Sequence, residues 1–103
     1  MAAIEPSNGP SLPYSSGRDD RFFDHDGQIT KTPMRALTLS ALAPCAGELL
    51  WDIGAGSGSI SIEWLLAHPT CKAIAIEKNG ARCDRIAKNG YRYGLDRLKI
   101  VKT

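Results

Sequence analysis

The sequence predicts an α/β fold in which three parallel strands alternate with helices. Short apolar runs at residues 48–53, 72–77 and 98–101 are typical of buried strands. The segments between them, residues 59–67 and 80–93, carry apolar residues at helical spacing. Because right-handed crossovers connect consecutive parallel strands, this order of elements predicts one open sheet with helices packed against it.

A further helix is expected ahead of the first strand. Thr30 or Thr32 is predicted to cap it, and the first turn of a helix tolerates a proline such as Pro33. Apolar residues then recur at helical spacing up to Pro44 and Gly47, namely Met34, Leu37, Ala41 and Leu42.

The amino-terminal part of the chain has the composition of a linker. Residues 6–17 contain nine Pro, Gly or Ser in twelve positions, too few apolar groups to offset the entropy of ordering. We therefore predict a flexible arm or inter-module linker over residues 1–20 and one domain over residues 21–103. Only five residues precede this run, so the sequence also indicates that the chain is a fragment of a longer enzyme.

Composition excludes several classes of protein. None of the apolar runs among these 103 residues approaches the roughly 18 residues of a membrane span, and the first residues lack the pattern of a signal peptide. Cys45, Cys71 and Cys83 are an odd number with no close pair. They favour a reducing cytoplasm over a disulfide framework or a zinc site, and we expect no metal and no membrane partner.

The small net charge of +2 hides an asymmetry along the chain. Residues 1–77 hold 5 Lys+Arg and 9 Asp+Glu, whereas residues 78–103 hold 8 Lys+Arg and 2 Asp+Glu. A basic end can bind nucleic acid or another polyanion, and it can equally be the solvated face of a helix. The absence of an aromatic-rich basic motif argues against nucleic acid as a partner.

The loop after the first strand carries the chemistry. Gly54, Gly56 and Gly58 permit positive φ angles and let a ligand contact the backbone at the start of a helix. A dinucleotide site would require glycine where Ser59 stands, and a phosphate-binding Walker loop would require a nearby lysine. Alternate glycines after Asp52 fit the loop of S-adenosylmethionine enzymes, and a turn without any ligand stays open as the alternative.

Glu77 completes this pattern at the end of the second predicted strand. It lies nineteen residues after Gly58, which is about one strand–helix–strand step. An acid at that place can accept both ribose hydroxyls of an adenosine. The two features together favour S-adenosylmethionine as the cofactor, ahead of a nicotinamide dinucleotide.

One segment is more specific than the glycine loop. Residues 25–31, His-Asp-Gly-Gln-Ile-Thr-Lys, together with residues 35–40 and 50–60, closely resemble the carboxy-terminal module of the decarboxylating precorrin-6Y methyltransferase family of cobalamin biosynthesis. The resemblance covers residues 17–101. It implies a Rossmann-like class I methyltransferase fold, truncated here to its amino-terminal cofactor-binding half.

The resemblance also implies a function and a set of site residues. The family uses S-adenosylmethionine to methylate a carbon of a precorrin and removes the carboxyl group of an acetate side chain. Cofactor-binding positions carried over to this chain are Thr30, Asp52, Gly54, Ala55, Gly56, Ser57, Gly58 and Glu77. Asp52 is expected to brace the loop or to reach the cofactor through water. No catalytic acid or base is identified.

Residues facing the substrate are less defined. Gln28 and His25 could face the tetrapyrrole, and His25 could equally be a surface residue or a local hydrogen-bond partner. Candidates for holding substrate carboxylates, chosen by charge alone, are Arg82, Arg85, Lys88 and Arg92. Trp51 and Trp64 are expected in the core.

Length leaves other interpretations open. The family's module needs about twice the residues that follow the linker. We therefore expect apolar surface to be exposed at the last predicted strand, residues 98–101. The alternatives are a non-catalytic module that binds S-adenosylmethionine or a partner chain, and a piece of a nucleic-acid methyltransferase. Whether the chain forms a homo-oligomer is left open.

Overall fold

A computed structural model describes residue 3 and residues 12–103. The elements within this described part alternate as predicted: a 3-10 turn at Asp20–Phe22, α1 at Thr32–Leu42, β1 at Leu49–Ile53, α2 at Ser59–Ala67, β2 at Lys72–Glu77, α3 at Gly80–Arg92 and β3 at Leu98–Lys102. Most of the predicted arm, residues 1–2 and 4–11, lies outside the described residues. Among the helices that are described, none has both the length and the apolarity to cross a bilayer.

The strands form a parallel sheet in the order β1-β2-β3. At one edge of the sheet Ile53 lies opposite Ile76, and Glu77 lies opposite Lys102. The carboxyl ends of all strands therefore meet at this edge, together with the loops that follow β1 and β2. In open α/β sheets, ligands bind outside the carboxyl ends of the strands.

The core lies between the sheet and α2. Ile62, Trp64 and Leu65 of α2 are buried with Ala73 of β2. The indole Nε1 of Trp64 donates to the Lys72 carbonyl oxygen at 2.9 Å, which satisfies its buried N–H. The expectation that Trp64 is a core residue is confirmed.

The opposite face of the sheet is largely bare. Leu49, Trp51 and Ile53 alternate along β1 on the side away from α2 and are 46%, 60% and 79% exposed. The prediction that Trp51 is a core residue is therefore wrong, because the two-residue period of a strand turns it away from α2. Apolar exposure was expected mainly at β3, but Ile100 and Val101 are half-buried and the largest exposure is on β1.

The start of α1 differs from the expected cap. Lys31 is the N-cap residue and makes no side-chain capping hydrogen bond, so the predicted caps Thr30 and Thr32 are wrong. The Thr32 hydroxyl instead donates to the Asp20 carboxylate at 3.0 Å. Pro33 lies in the first turn as predicted, where the missing N–H costs nothing.

The buried face of α1 is also not the one that the apolar pattern predicts. Arg35 and Leu39 are buried, whereas Met34, Leu37 and Leu42 are exposed. The Arg35 guanidinium lies over the Phe23 ring at 4.8 Å and occupies the inner side of the helix. Because a charged residue fills that position, hydrophobic spacing alone could not find the inner face.

Residues 17–31, which we name the leading segment, lie against α2 and α3 before α1 begins. Phe23 is buried and meets the Tyr93 ring edge-on at 6.5 Å. The Tyr93 hydroxyl donates to the Phe22 carbonyl. Gly17 and Arg18 were assigned to the arm by the sequence, and in the structure their backbone amides donate to Glu63 of α2. The leading segment is thereby brought to the carboxyl edge of the sheet.

Candidate cofactor-binding site

The loop between β1 and α2 depends on its alternate glycines. Gly54, Gly56 and Gly58 have φ angles of +72°, +62° and +79°, in the region that L side chains rarely adopt. A Cβ at Gly58 would also lie 2.9 Å from the Ile86 side chain of α3. Glycine is thus required here by backbone conformation and, at position 58, by close packing as well.

The loop amides are largely used inside the protein. The N–H groups of Gly54 and Ala55 donate to the Ile76 carbonyl at 2.8 and 3.1 Å. Gly56 N–H donates to Glu77 Oε1 at 2.9 Å, and Gly58 N–H donates to the Ala55 carbonyl, also at 2.9 Å. A phosphate-binding loop presents such amides to its anion. This loop is instead shaped for a ligand that needs few amide donors from it.

Glu77 joins the loop to the end of β2. Its Oε1 accepts from Gly56 and its Oε2 accepts from Asn79 N–H, both at 2.9 Å. These bonds, with the one from Asn79 foremost, hold the pKa of the carboxyl below its ordinary value although burial opposes this. Glu77 is therefore ionised at neutral pH, and a carboxylate can accept further hydrogen bonds beyond these two.

Asp52 faces α2. Ser61 Oγ donates to Asp52 Oδ2 at 2.7 Å, which ties β1 to the first turn of α2 on the far side of the glycine loop. Burial raises the pKa of this carboxyl, and the hydrogen bonds from Ser61 oppose the rise. Asp52 does not line the cleft described next, so its contacts in this structure are those of a brace.

An open cleft of about 560 Å³ lies between the leading segment and the glycine loop. It is lined by Gly27, Gln28, Ile29, Thr30, Ile53, Gly54, Ala55, Gly56, Ile76, Glu77, Lys78, Arg82 and Thr103. Its position at the carboxyl edge of the sheet is the place where α/β folds bind ligands. The lining combines apolar walls with one side-chain carboxylate, that of Glu77, and two basic side chains, as small-molecule sites commonly do.

The structure brings most of the predicted cofactor residues to this cleft. Those in its lining are Thr30, Gly54, Ala55, Gly56 and Glu77, and those outside it are Asp52, Ser57 and Gly58. Ser57 and Gly58 are the buried residues of the loop, and the hydroxyl of Ser57 has no hydrogen-bond partner within the described chain. Thr30 contributes an exposed side chain, while its carbonyl accepts a hydrogen bond from Arg35.

The two candidates for facing the tetrapyrrole differ. Gln28 lines the cleft, and its backbone carbonyl oxygen lies 3.0 Å from the place that a Cβ on Gly56 would occupy. His25 does not line it. The His25 Nδ1 accepts from the Gly27 N–H at 3.0 Å, which is the local hydrogen-bonding role that the sequence left open for it.

The basic side chains of α3 meet acids of the leading segment. Arg82 and Arg85 lie 3.1 and 2.9 Å from Asp26, and Lys88 lies 3.6 Å from Asp24. We name these five residues the surface cluster. The opposite charges of the two parts of the sequence are thus partly matched within the chain, and of this basic group Arg82 alone lines the cleft.

A second ionic group is buried and was missed by the sequence analysis. Glu63 of α2 lies 2.6 Å from Arg18 and 2.7 Å from Arg35, and Arg35 lies 2.8 Å from Asp20. We name these four residues the buried cluster. Its signal in the sequence was Glu63 itself, the one charged residue in the helical segment 59–67.

Two comparisons of sequence locate the chain among known proteins. The family model described as precorrin methyltransferase domain matches residues 21–103. A precorrin-6Y C(5,15)-methyltransferase (decarboxylating) of Sinorhizobium sp is 60% identical over 91 residues. That alignment covers 88% of this chain and 22% of the Sinorhizobium protein, so the chain spans only a small part of that relative.

Solved structures agree with the sequence comparisons. The C-terminal domain of precorrin-6Y C5,15-methyltransferase from Rhodobacter capsulatus matches with a TM-score of 0.86 and 55% identity. The match covers 89% of this chain and 50% of that one. Coclaurine N-methyltransferase bound to N-methylheliamine and SAH matches with a TM-score of 0.64 at 16% identity, over 80% of this chain and 25% of that one, which shows a shared fold. The predicted class I methyltransferase fold is confirmed.

Proposed function

Since this chain belongs to the precorrin methyltransferase domain family, we propose that it binds S-adenosylmethionine in the cleft between the leading segment and the glycine loop. The observation that carries this proposal is the placement of Glu77. An ionised carboxylate at the end of β2, bonded to the backbone amides of Gly56 and Asn79, has two oxygens that can accept further hydrogen bonds. Two vicinal ribose hydroxyls are donors that fit this pair of acceptors.

The glycine loop suits the rest of this cofactor. S-Adenosylmethionine carries no phosphate, and the loop offers few free amides because those of Gly54, Ala55 and Gly56 are already bonded. We propose that the methionine part lies along residues 54–58, with backbone approach allowed by the missing side chains. Thr30 would contact the cofactor from the opposite wall. Asp52 would act through the loop that it braces.

For the whole domain we propose methylation of a precorrin carbon coupled to loss of an acetate carboxyl group as carbon dioxide. Bound S-adenosylmethionine supplies a methyl group on a positively charged sulfur. The protein's contribution to such a transfer is placement, with donor and acceptor carbon held in line and water excluded. This chain, which matches half of the Rhodobacter domain, would supply the cofactor side of that arrangement.

Three finer points belong to the same proposal. We propose that residues 21–103 form the domain and that the linker precedes them, with Gly17 and Arg18 bonded to Glu63 of α2. We also propose a cytoplasmic location, because Cys45, Cys71 and Cys83 are all free thiols. Nucleic acid is disfavoured as a partner, since Arg82, Arg85 and Lys88 pair with acids of the same chain.

Isothermal titration calorimetry with S-adenosylhomocysteine tests the proposed cofactor. We expect binding by the unmodified chain and none of NAD at the same concentration. The substitution Glu77→Gln removes the charge that strengthens the ribose bonds, and we expect about 10- to 100-fold weaker affinity. Glu48→Gln, an exposed change away from the cleft, serves as the control and should leave affinity unchanged. Equal affinities of Glu77→Gln and the unmodified chain would contradict the assignment.

A further inference from the structure

One buried amide connects the two walls of the cleft. Asn89 of α3 is 1% exposed. Its Oδ1 accepts from Asp24 N–H at 2.7 Å, and its Nδ2 donates to the Asp24 carbonyl at 2.9 Å and to the Ser57 carbonyl at 3.0 Å. Three of the side chain's four hydrogen-bonding positions are thus occupied, all by backbone groups.

These bonds bridge segments that are far apart in sequence. Asp24 belongs to the leading segment, and Ser57 lies between the two left-handed glycines Gly56 and Gly58 of the loop. Asn89 pairs with both polar backbone groups of Asp24, as a neighbouring strand would. It is 65 residues from Asp24 and 32 from Ser57, and it does not line the cleft.

We propose that Asn89 is a positioning residue that sets the separation of the leading segment from the glycine loop, and with it the width of the cofactor cleft. This inference rests on the proposed function, because it assigns Asn89 to the same site. The mechanism is indirect. Asn89 does not line the cleft. It acts by fixing the backbone at Asp24, three residues before the lining residue Gly27, and at Ser57, next to the lining residue Gly56.

The ion pairs of Asp24 do not duplicate this role. The side chain of Asp24 meets Lys88 at 3.6 Å and Arg85 at 3.9 Å, and these groups are 34% to 72% exposed. Exposed ion pairs of this kind contribute little and tolerate movement. A buried amide with three short bonds fixes position more tightly, because breaking it strands backbone groups without partners.

The test compares Asn89→Ala with Trp64→Phe. Both changes remove a buried side-chain donor to a backbone carbonyl, but the Trp64 bond to Lys72 lies in the core and away from the cleft. Two quantities are measured for each variant: amide hydrogen exchange along the chain without ligand, and affinity for S-adenosylhomocysteine by calorimetry. If Asn89→Ala shows no cooperative unfolding, and so is not folded, the same two quantities are measured for Asn89→Asp. That variant keeps the acceptor oxygen and loses both donor bonds.

We expect Asn89→Ala to accelerate exchange at the amides of Asp24, Gly56 and Gly58 at least tenfold more than Trp64→Phe does. For Asn89→Asp we expect exchange to accelerate by the same margin over Trp64→Phe at the amides of Gly56 and Gly58. We also expect either Asn89 variant to bind S-adenosylhomocysteine about tenfold more weakly, while Trp64→Phe stays within twofold of the unmodified chain. Exchange that rises evenly over the whole sheet, or affinity unchanged from the unmodified chain, would overturn the proposal. If the unmodified chain binds no S-adenosylhomocysteine, the proposed function fails, and the exchange pattern alone still decides the role of Asn89.

Discussion

The buried cluster and the surface cluster both fasten the leading segment to the rest of the chain, but they do so in different surroundings. In the buried cluster Glu63 is fully enclosed and lies within 2.7 Å of two arginines whose side chains are at most 4% exposed. In the surface cluster the side chains are 29% to 72% exposed and the nitrogen–oxygen distances run from 2.9 to 3.9 Å. Ion pairs between basic side chains and carboxylates are therefore buried in one cluster and exposed to solvent in the other.

This difference in burial determines how much each cluster contributes to the stability of the fold. A charge left unpaired in the interior costs several kcal/mol, whereas an exposed pair is screened by water and salt. The buried cluster also reaches the cleft, because Arg35 donates to the carbonyl of Thr30 in its lining. We conclude that the buried cluster holds the leading segment in place and that the surface cluster has a small supporting effect.

The largest effect is expected for Glu63→Gln. The substitution leaves Arg18 in the interior without a carboxylate partner and leaves Arg35 with Asp20 alone, and we expect a loss of about 3–5 kcal/mol in the free energy of unfolding. Urea unfolding followed by circular dichroism measures this loss. Glu48→Gln, at an exposed position, is the matched control and should change stability by less than about 0.5 kcal/mol. A similar small loss for Glu63→Gln would show that the buried cluster is not structural.

Arg35→Lys separates charge from geometry within the buried cluster. Lysine keeps the positive charge but cannot reproduce the guanidinium's simultaneous bonds to Glu63, Asp20 and the Thr30 carbonyl. We expect a loss of about 2–3 kcal/mol in the free energy of unfolding, smaller than that for Glu63→Gln. If Arg35→Lys is as stable as the unmodified chain, charge alone holds the segment and the hydrogen-bond geometry has no part.

The pH dependence of stability gives an intermediate effect at Asp20. Burial opposes ionisation of this carboxyl, but hydrogen bonds from Arg35 and Thr32 outweigh it and lower the pKa in the folded chain. The unfolded chain therefore takes up the proton first as the pH falls. The stabilisation is present above about pH 4 and is lost on acidification through the lowered pKa.

Asp20→Asn should remove this contribution. We expect the stability difference between the unmodified chain and Asp20→Asn to be constant near neutral pH and to shrink below about pH 4, as measured by urea unfolding at a series of pH values. A difference that stays constant down to pH 2 would mean that the Asp20 carboxylate does not contribute through its charge.

The smallest effect is expected for Asp26→Asn in the surface cluster. Asp26 has a lowered pKa, chiefly through the Gln28 N–H and then through Arg82, but its side chain is open to solvent. We expect the melting temperature to fall by no more than a few degrees at low salt, and the fall to vanish in about 0.5 M NaCl, where charges are screened. A loss of stability that does not depend on salt and is as large as that of Glu63→Gln would contradict the difference inferred between the two clusters.

The sequence predicts the helices and strands well and the contacts between distant segments poorly. The bounds of α2 and β2 are as predicted, and β1 and β3 differ from prediction by one residue, because glycines and prolines bracket short apolar runs. The turn that Gly54, Gly56 and Gly58 form could be found for the same local reason, because the positive φ angles at these positions need glycine.

The errors share a different cause. The inner face of α1 is determined by the contact of Arg35 with Glu63, which is 28 residues away. Asn89 bonds to Asp24, 65 residues away, and to Ser57, 32 residues away. Periodicity and capping rules describe neighbours in the chain, so they carry no information on such partners. Trp51 was misassigned because an apolar strand residue can point to either face, and only the packing of α2 decides which face is covered.

The most direct test of the central claim, that the leading segment and the glycine loop together form one S-adenosylmethionine site, is a titration with S-adenosylhomocysteine followed by amide chemical shifts of the full chain. We expect the largest chemical-shift changes in residues 27–30, 54–56 and 77–78, on both walls of the cleft and at the end of β2. Changes confined to the exposed face of β1, or no change at saturating ligand, would contradict it.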